Sequence, residues 1–260
     1  MSDSHVAGET LALDHEARPE LRHHFADEQQ QRNAASLGMW MFLGTEIMFF
    51  GGMFCAYLVY RRIYFPEFAV ASRSLDLIVG TVNTAVLICS SLTVALAVKA
   101  AQMGKRALQV KLLLATIFFG LVFLGVKGYE WYNKYEEHHI PTFHYNVIGG
   151  KGDLIKDNAQ FLGVDKLQND PVKLAAREAE IQRHTQIFYS LYFALTGMHA
   201  LHMIIGVGIF TVITWMAWKG RFTPEYHTPL EIAGLYWHFV DIVWIYLFPL
   251  LYLIDRRPGA

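Results

Sequence analysis

Five stretches of this 260-residue chain are long, apolar and almost free of charge, and no other feature limits the fold as much. Leu37–Tyr60 holds one charge, Glu46, while Leu77–Val98 and Leu112–Val126 hold none. Ile187–Trp218 has no charge beyond two histidines, and Ile232–Ile254 has one acid, Asp241. The hydrocarbon core of a bilayer takes about 20 mostly apolar residues of helix. Four stretches reach that length alone. The third reaches it if Lys111 and Lys127 snorkel at its ends. In lipid a helix satisfies its backbone groups internally. The chain is therefore expected to be all-α, an integral membrane bundle of five transmembrane helices. The spacing predicts spans at about 37–60, 77–98, 108–130, 186–218 and 232–254. A long loop, 131–184, joins the third and fourth, with polar tails at 1–35 and 256–260.

Composition agrees. Apolar residues make up 53% and charged ones 17%, where a soluble domain carries about 25% charge. Disorder needs the opposite balance. A net charge of −1 leaves no broad nucleic-acid footprint. The first 36 residues are polar and lack an apolar signal core, so insertion through the first helix is expected. Cys55 and Cys89 fall within spans and belong to no CxxC or CxxCH pattern. They are expected to be small buried apolar residues.

Orientation follows from Lys and Arg in short loops. One side collects nine: Arg18, Arg22, Arg32, Lys99, Lys105, Arg106, Lys111, Lys219 and Arg221. The other collects five: Arg61, Arg62, Arg73, Arg256 and Arg257. The N-terminus is expected in the cytoplasm and the C-terminus outside. Within the long loop, Gly149, Gly150 and Gly152 predict irregular chain. From Pro171 the segment PVKLAAREAEIQRH predicts a helix running straight into the fourth span.

Ionisable residues inside a membrane are costly and are functional candidates by default. Glu46 lies near the middle of the first span, beside Phe42, Leu43, Phe49, Phe50 and Met53. The spacing leaves two roles open. One is a proton-linked or lipid-linked acid; the other is a neutral carboxyl hydrogen-bonded to a neighbouring helix. His199 and His202 are three apart and share a helix face. They lack the further ligands of a closed metal site, so hydrogen bonding between helices is expected. Glu231, Gly234, His238 and Asp241 follow at steps of three, four and three, one face that must meet another helix. His238 and Asp241 are expected to bond to each other, or to His199 or His202. Glu130 joins this interhelix polar set. Lys219, Arg221 and His227, beside Trp215 and Trp218, are candidate ligands for anionic lipid headgroups.

Several segments carry a pattern. The last span reads His227-Thr-Pro-Leu-Glu231-Ile-Ala-Gly-Leu-Tyr236-Trp237-His238-Phe239-Val240-Asp241. The fourth contains Thr196-Gly197-Met-His199-Ala-Leu-His202 and Gly206. Thr45-Glu46-Ile-Met-Phe-Phe-Gly51, Asn83-Thr84 with Ser90-Ser91, and Gly128-Tyr129-Glu130-Trp131 complete the set. In this order, over roughly Ala35 to Asp255, they resemble subunit III of the haem–copper cytochrome c oxidases.

The resemblance implies an accessory subunit of a proton-pumping, O2-reducing terminal oxidase of aerobic respiration, in a bacterial plasma (inner) membrane. It implies no catalytic residue, metal or redox centre in this chain, with haem and copper in partner subunits. It implies direct packing on oxidase subunit I, subunit II in the same complex, bound phospholipid, and support of proton uptake and enzyme lifetime. Glu46 matches the family's membrane-buried glutamate. The longer family form has seven helices, and this sequence matches from the third onward. The first two are expected from a small subunit or a helix pair fused to a partner. Alternatives are a quinol oxidase or nitric oxide reductase subunit. From other classes come a proton-coupled transporter, which should show repeats and broken helices, and a membrane di-iron enzyme, which needs more histidine clusters.

Overall fold

A computed structural model describes residues 27–141, 145–147, 153–224 and 226–254. Most of the 1–35 tail, Gly149, Gly150, Gly152, Arg256 and Arg257 lie outside the described residues.

The described residues form helices without strands. In chain order these are α1 (Glu28–Ile63), α2 (Phe65–Arg73), α3 (Leu77–Gln102), α4 (Arg106–Glu136), the short α5 (Leu154–Asp157), α6 (Pro171–Trp218) and α7 (Thr228–Tyr252). Five are long and apolar enough to cross a membrane: α1, α3, α4, α6 and α7. The five-helix expectation stands.

Local chemistry sets the boundaries. Asp27, Asp76 and Asp170 accept hydrogen bonds from backbone N–H groups in the first turns of α1, α3 and α6, satisfying donors a helix cannot pair itself. Proline occupies the first turn of α2, α6 and α7, where its missing N–H costs nothing. The turns after α3 and α6 share one closing motif. Gly104 and Gly220 adopt φ of 68° and 75°. Lys105 N–H then donates to Ala100 O, and Arg221 N–H to Met216 O. A side chain at either glycine would strain the left-handed backbone.

α3, α4, α6 and α7 pack as one group. Trp237 sits at its centre, fully buried. A Cβ at Gly120 of α4 or Gly206 of α6 would come within 2.9 or 3.0 Å of its ring. Two small residues thus make the slot for the indole, as close helix packing in membranes favours. Its Nε1–H donates to Ser90 Oγ of α3 at 3.0 Å.

α1 lies against α6 and α7, with α2 against its C-terminal end. Its outward face shows Leu37, Trp40, Met41, Ile47, Met48 and Val59, acceptable surface for lipid. Cys55 and Cys89 are exposed on the bundle's outer surface. This corrects the expectation of burial: toward lipid, an apolar side chain needs no protein cover.

α2 occupies the first loop, of which only the arginines entered the sequence reading, and its Phe68, Ala69, Val70, Ala71 and Ser72 are fully buried. α6 supplies the cover. It runs unbroken from Pro171 to Trp218, and its first turns project beyond the bundle. Glu67 of α2 pairs with Arg177 of α6 at 2.9 Å, and Phe68 meets Phe188 edge-on. The described part of the long loop packs there too. Tyr145, Val147, Leu154, Ile155, Leu162 and Val164 are buried, and Tyr145 donates to Thr185 Oγ1 at 2.8 Å.

Candidate functional site

The N-terminal half of α1 leans away from α6 and α7 and leaves a cleft of about 760 Å³. Its walls are mostly apolar: Met39 and Phe42 from α1, Ile205 and Ile209 from α6, Ile232 and Tyr236 from α7. Gln31, Arg32, Tyr226 and Thr228 stand at one end. Glu46 and His202 close the other.

Glu46 Oε2 lies 3.1 Å from His202 Nε2, with the Glu46 side chain 18% exposed. The other ring nitrogen of His202, Nδ1, is 2.8 Å from the Met198 carbonyl, one turn back on α6. Only an N–H can satisfy that carbonyl, so Nδ1 carries a proton. The contact at Nε2 then needs a second proton. Either Glu46 is a carboxylic acid donating to Nε2, or an imidazolium donates to a carboxylate. In both forms one proton is held between the two groups. Phe50 packs its ring against His202 at 5.3 Å and shields the pair on one side.

The two histidines do not converge. Residues three apart on a helix differ by about 60° in direction, and α6 has neighbours on several sides. His202 turns to α1. His199 turns to Phe123 of α4 and Trp244 of α7, and neither of its ring nitrogens has a partner among the described residues. Among the described residues, no cluster of three or more His, Cys, Asp or Glu could hold a metal ion.

The acidic stripe of α7 does face a helix, but that helix is α3, which corrects the expected partners. Gln102 donates to Glu231 Oε1 at 3.1 Å. A Cβ at Gly234 would touch Val94. His238 Nδ1 lies 2.7 Å from Ser91 Oγ. Asp241 bonds neither to His238 nor to His199 or His202; its oxygens have no partner among the described residues. The polar motif of α3 is spread over its interfaces. Asn83 donates to Phe123 O, Thr84 accepts from Trp244 Nε1, Ser90 from Trp237 Nε1, and Ser91 meets His238.

Glu130 belongs to a separate cluster that sequence reasoning missed. Lys127 does not snorkel: it is 2% exposed. It sits on the face of α4 turned to α6 and α7, one turn from Glu130. Its ammonium donates to Glu130 Oε2 at 3.1 Å, Tyr252 OH at 2.8 Å and Tyr192 OH at 3.2 Å. Both tyrosine hydroxyls donate in turn to Glu130 Oε1, at 2.5 and 2.7 Å. All three ammonium protons and both carboxylate oxygens are used. Trp244 offers its ring face to the same cation at 5.0 Å. The i, i+3 spacing of Lys127 and Glu130 was the available signal.

Lys219 and Arg221 are exposed in the turn after α6, outside the cleft lining. The Lys219 ammonium rests 4.1 Å from the Trp215 ring centre. His227 Nε2 lies 3.1 Å from Glu231 Oε1.

Membrane-length helices joined by buried polar groups, with a large cleft opening beside them, define a multi-pass helical membrane protein. The family model for Cytochrome c oxidase subunit III matches residues 20–137 and 174–255, and the chain belongs to that family. The matched stretches hold all five long helices apart from the first three residues of α6; residues 138–173 lie outside them. It is 30% identical to a cytochrome c oxidase subunit 3 of Corynebacterium diphtheriae, over 86% of this chain and 89% of that one. It is 28% identical to one of Thermostichus vulcanus, over 85% and 87%, and 28% identical to that of Gallus gallus, over 83% and 67%.

Proposed function

We propose that the chain is the accessory, non-redox subunit III of a proton-pumping cytochrome c oxidase in a bacterial plasma membrane, N-terminus in the cytoplasm. It packs on subunit I in a complex with subunit II. It binds phospholipid and supports proton uptake and the lifetime of the enzyme. Haem and copper reside in the partner subunits.

The observation that carries this reading is the Glu46–His202 pair at the foot of the cleft. A proton held between a carboxyl and an imidazole can be passed on without creating an isolated charge in the bilayer, the costly species there. The cleft above it is apolar along its walls and ends at Arg32 and Gln31. That polarity profile suits an acyl chain with an anionic headgroup near the cytoplasmic interface. Lys219 and Arg221 stand outside that cleft and are proposed as separate headgroup contacts.

The test is Glu46→Gln in the assembled complex. The variant subunit is expected to co-purify with the haem-bearing chains in normal yield, with slower proton delivery or a shorter catalytic lifetime. Failure to assemble would make the acid structural and sink the proton-linked role. Neutralising Lys219 and Arg221 together should lower bound anionic lipid; unchanged lipid would remove them as ligands.

A further inference from the structure

Asp241 is 3% exposed, and neither carboxyl oxygen has a partner among the described residues. Its own chain has little left to offer. Ser91 Oγ, 2.7 Å from His238 Nδ1, has a single proton to give and can serve at most one of the two carboxyl oxygens. α7 carries no Lys or Arg, and the only Lys or Arg on α3 is Lys99, near its far end. Yet a buried acid without a donor is among the least tolerable features of a membrane interior.

The acid borders a cavity of about 260 Å³ between α3 and α7, lined also by Leu87, Ser91, Ala95 and His238. The cavity shares no residue with the large cleft. Ile88, Leu92 and Ile245 form its rim and are exposed, so it opens on the bundle's outer face. Ser91 and Asp241 both lie near the middle of membrane-length helices. That depth decides the occupant. Lipid headgroups end roughly 15 Å from the midplane of a core about 30 Å thick, and acyl chains carry no donors. A hydrogen-bond donor reaches mid-bilayer on the side chain of another transmembrane helix. Ala95 keeps the groove shallow enough for close approach.

We propose that the groove at Ser91, His238 and Asp241 receives a transmembrane helix of a partner subunit, whose donor side chain bonds to Asp241. This rests on the reading of the chain as a subunit of a larger complex, and it names the surface that docks.

The test uses the full chain in its native membrane, with a photo-crosslinking residue at Ile88. The expected adduct is a membrane-spanning peptide of a haem-bearing chain, mapped within one turn of a hydroxyl, amide, indole or cationic side chain. Asp241→Leu should lower recovery of the haem-bearing chains at least tenfold, while Asp241→Asn, which still accepts a hydrogen bond, stays within twofold. Adducts to lipid alone, adducts to a second copy of this chain, or unchanged recovery with Asp241→Leu would each overturn the docking surface. If the unaltered subunit purifies without any haem-bearing chain, the complex reading itself fails, which is a separate result.

Discussion

The two ends of the bundle are built differently. At the end where α4 closes and α6 begins, polar groups stitch the helices together. Lys127, Glu130, Tyr192 and Tyr252 form their closed ring. Tyr57 of α1 donates to Leu250 O, and Ser72 of α2 to Leu251 O, each at 2.6 Å. α2 and the projecting part of α6 lie over this end. At the opposite end α1 is held by apolar contacts of Leu43 and Phe50 and by the single Glu46–His202 polar contact, and the cleft opens. Of the apolar stretch of α1, 17% is buried inside the protein, against 56% for α7. The contrast teaches where freedom lies. Helices bound at one end and parted at the other can admit a lipid chain without unpacking the core.

Breaking the tight end should give the largest effect. Lys127→Ala leaves Glu130 buried without its cation, and removing one partner of a buried pair costs about 3–5 kcal/mol. Thermal unfolding in detergent should show a large drop in midpoint. A Lys127→Met, Glu130→Gln double variant should recover much of it. A single variant as stable as the parent would mean that this end is not the stronger one.

A smaller loss is expected where α1 and α2 are tied to α7. Tyr57→Phe with Ser72→Ala removes two side-chain hydrogen bonds, worth about 0.6 kcal/mol each on average in membrane proteins. Protease access to α1 should rise while the α3, α4, α6, α7 group keeps its protection. Equal loosening of all helices would erase the distinction between a core and an attached α1.

These regions were unequally legible in the sequence. The five spans were plain because lipid imposes length and apolarity on every crossing. The continuity of α6 was legible in Pro171 and the Ala, Glu, Gln and Arg that follow, with no breaker before the span. α2 was not. Its nine residues follow Arg62 closely and end on Arg73, and their cover comes from a segment more than 100 positions away. Lys127 was misplaced because a lysine at the margin of an apolar run looks like an anchor. Only the positions of Tyr192 and Tyr252 turn it inward. The stripe from Glu231 to Asp241 disclosed its face but not its neighbour, since periodicity fixes a direction and topology decides which helix stands there.

At the open end the expected loss is smaller still. Glu46→Gln keeps a polar group beside His202 and should cost about 0.6 kcal/mol of stability. A hydrogen-exchange comparison should confine the change to the N-terminal half of α1. Exchange that spreads to α4 would show that the cleft is coupled to the tight end.

The smallest effect is expected from Glu137, just past α4 and outside the membrane span. Burial would raise its carboxyl. Hydrogen bonds from His139 and Lys134, with the Lys134 charge, outweigh that and hold it below its ordinary value of 4.5. A carboxyl lowered by folding adds stability that is complete above its unfolded value and is lost as pH falls through the folded one. The carboxylate is 29% exposed, and solvent screening keeps the contribution at about 0.3 kcal/mol. Acid should therefore loosen the chain around 134–139 slightly. Hydrogen exchange of that segment between pH 7 and pH 3 should show the step in the parent and none in Glu137→Gln. A step that persists in the variant would assign the acid sensitivity to another group at this end.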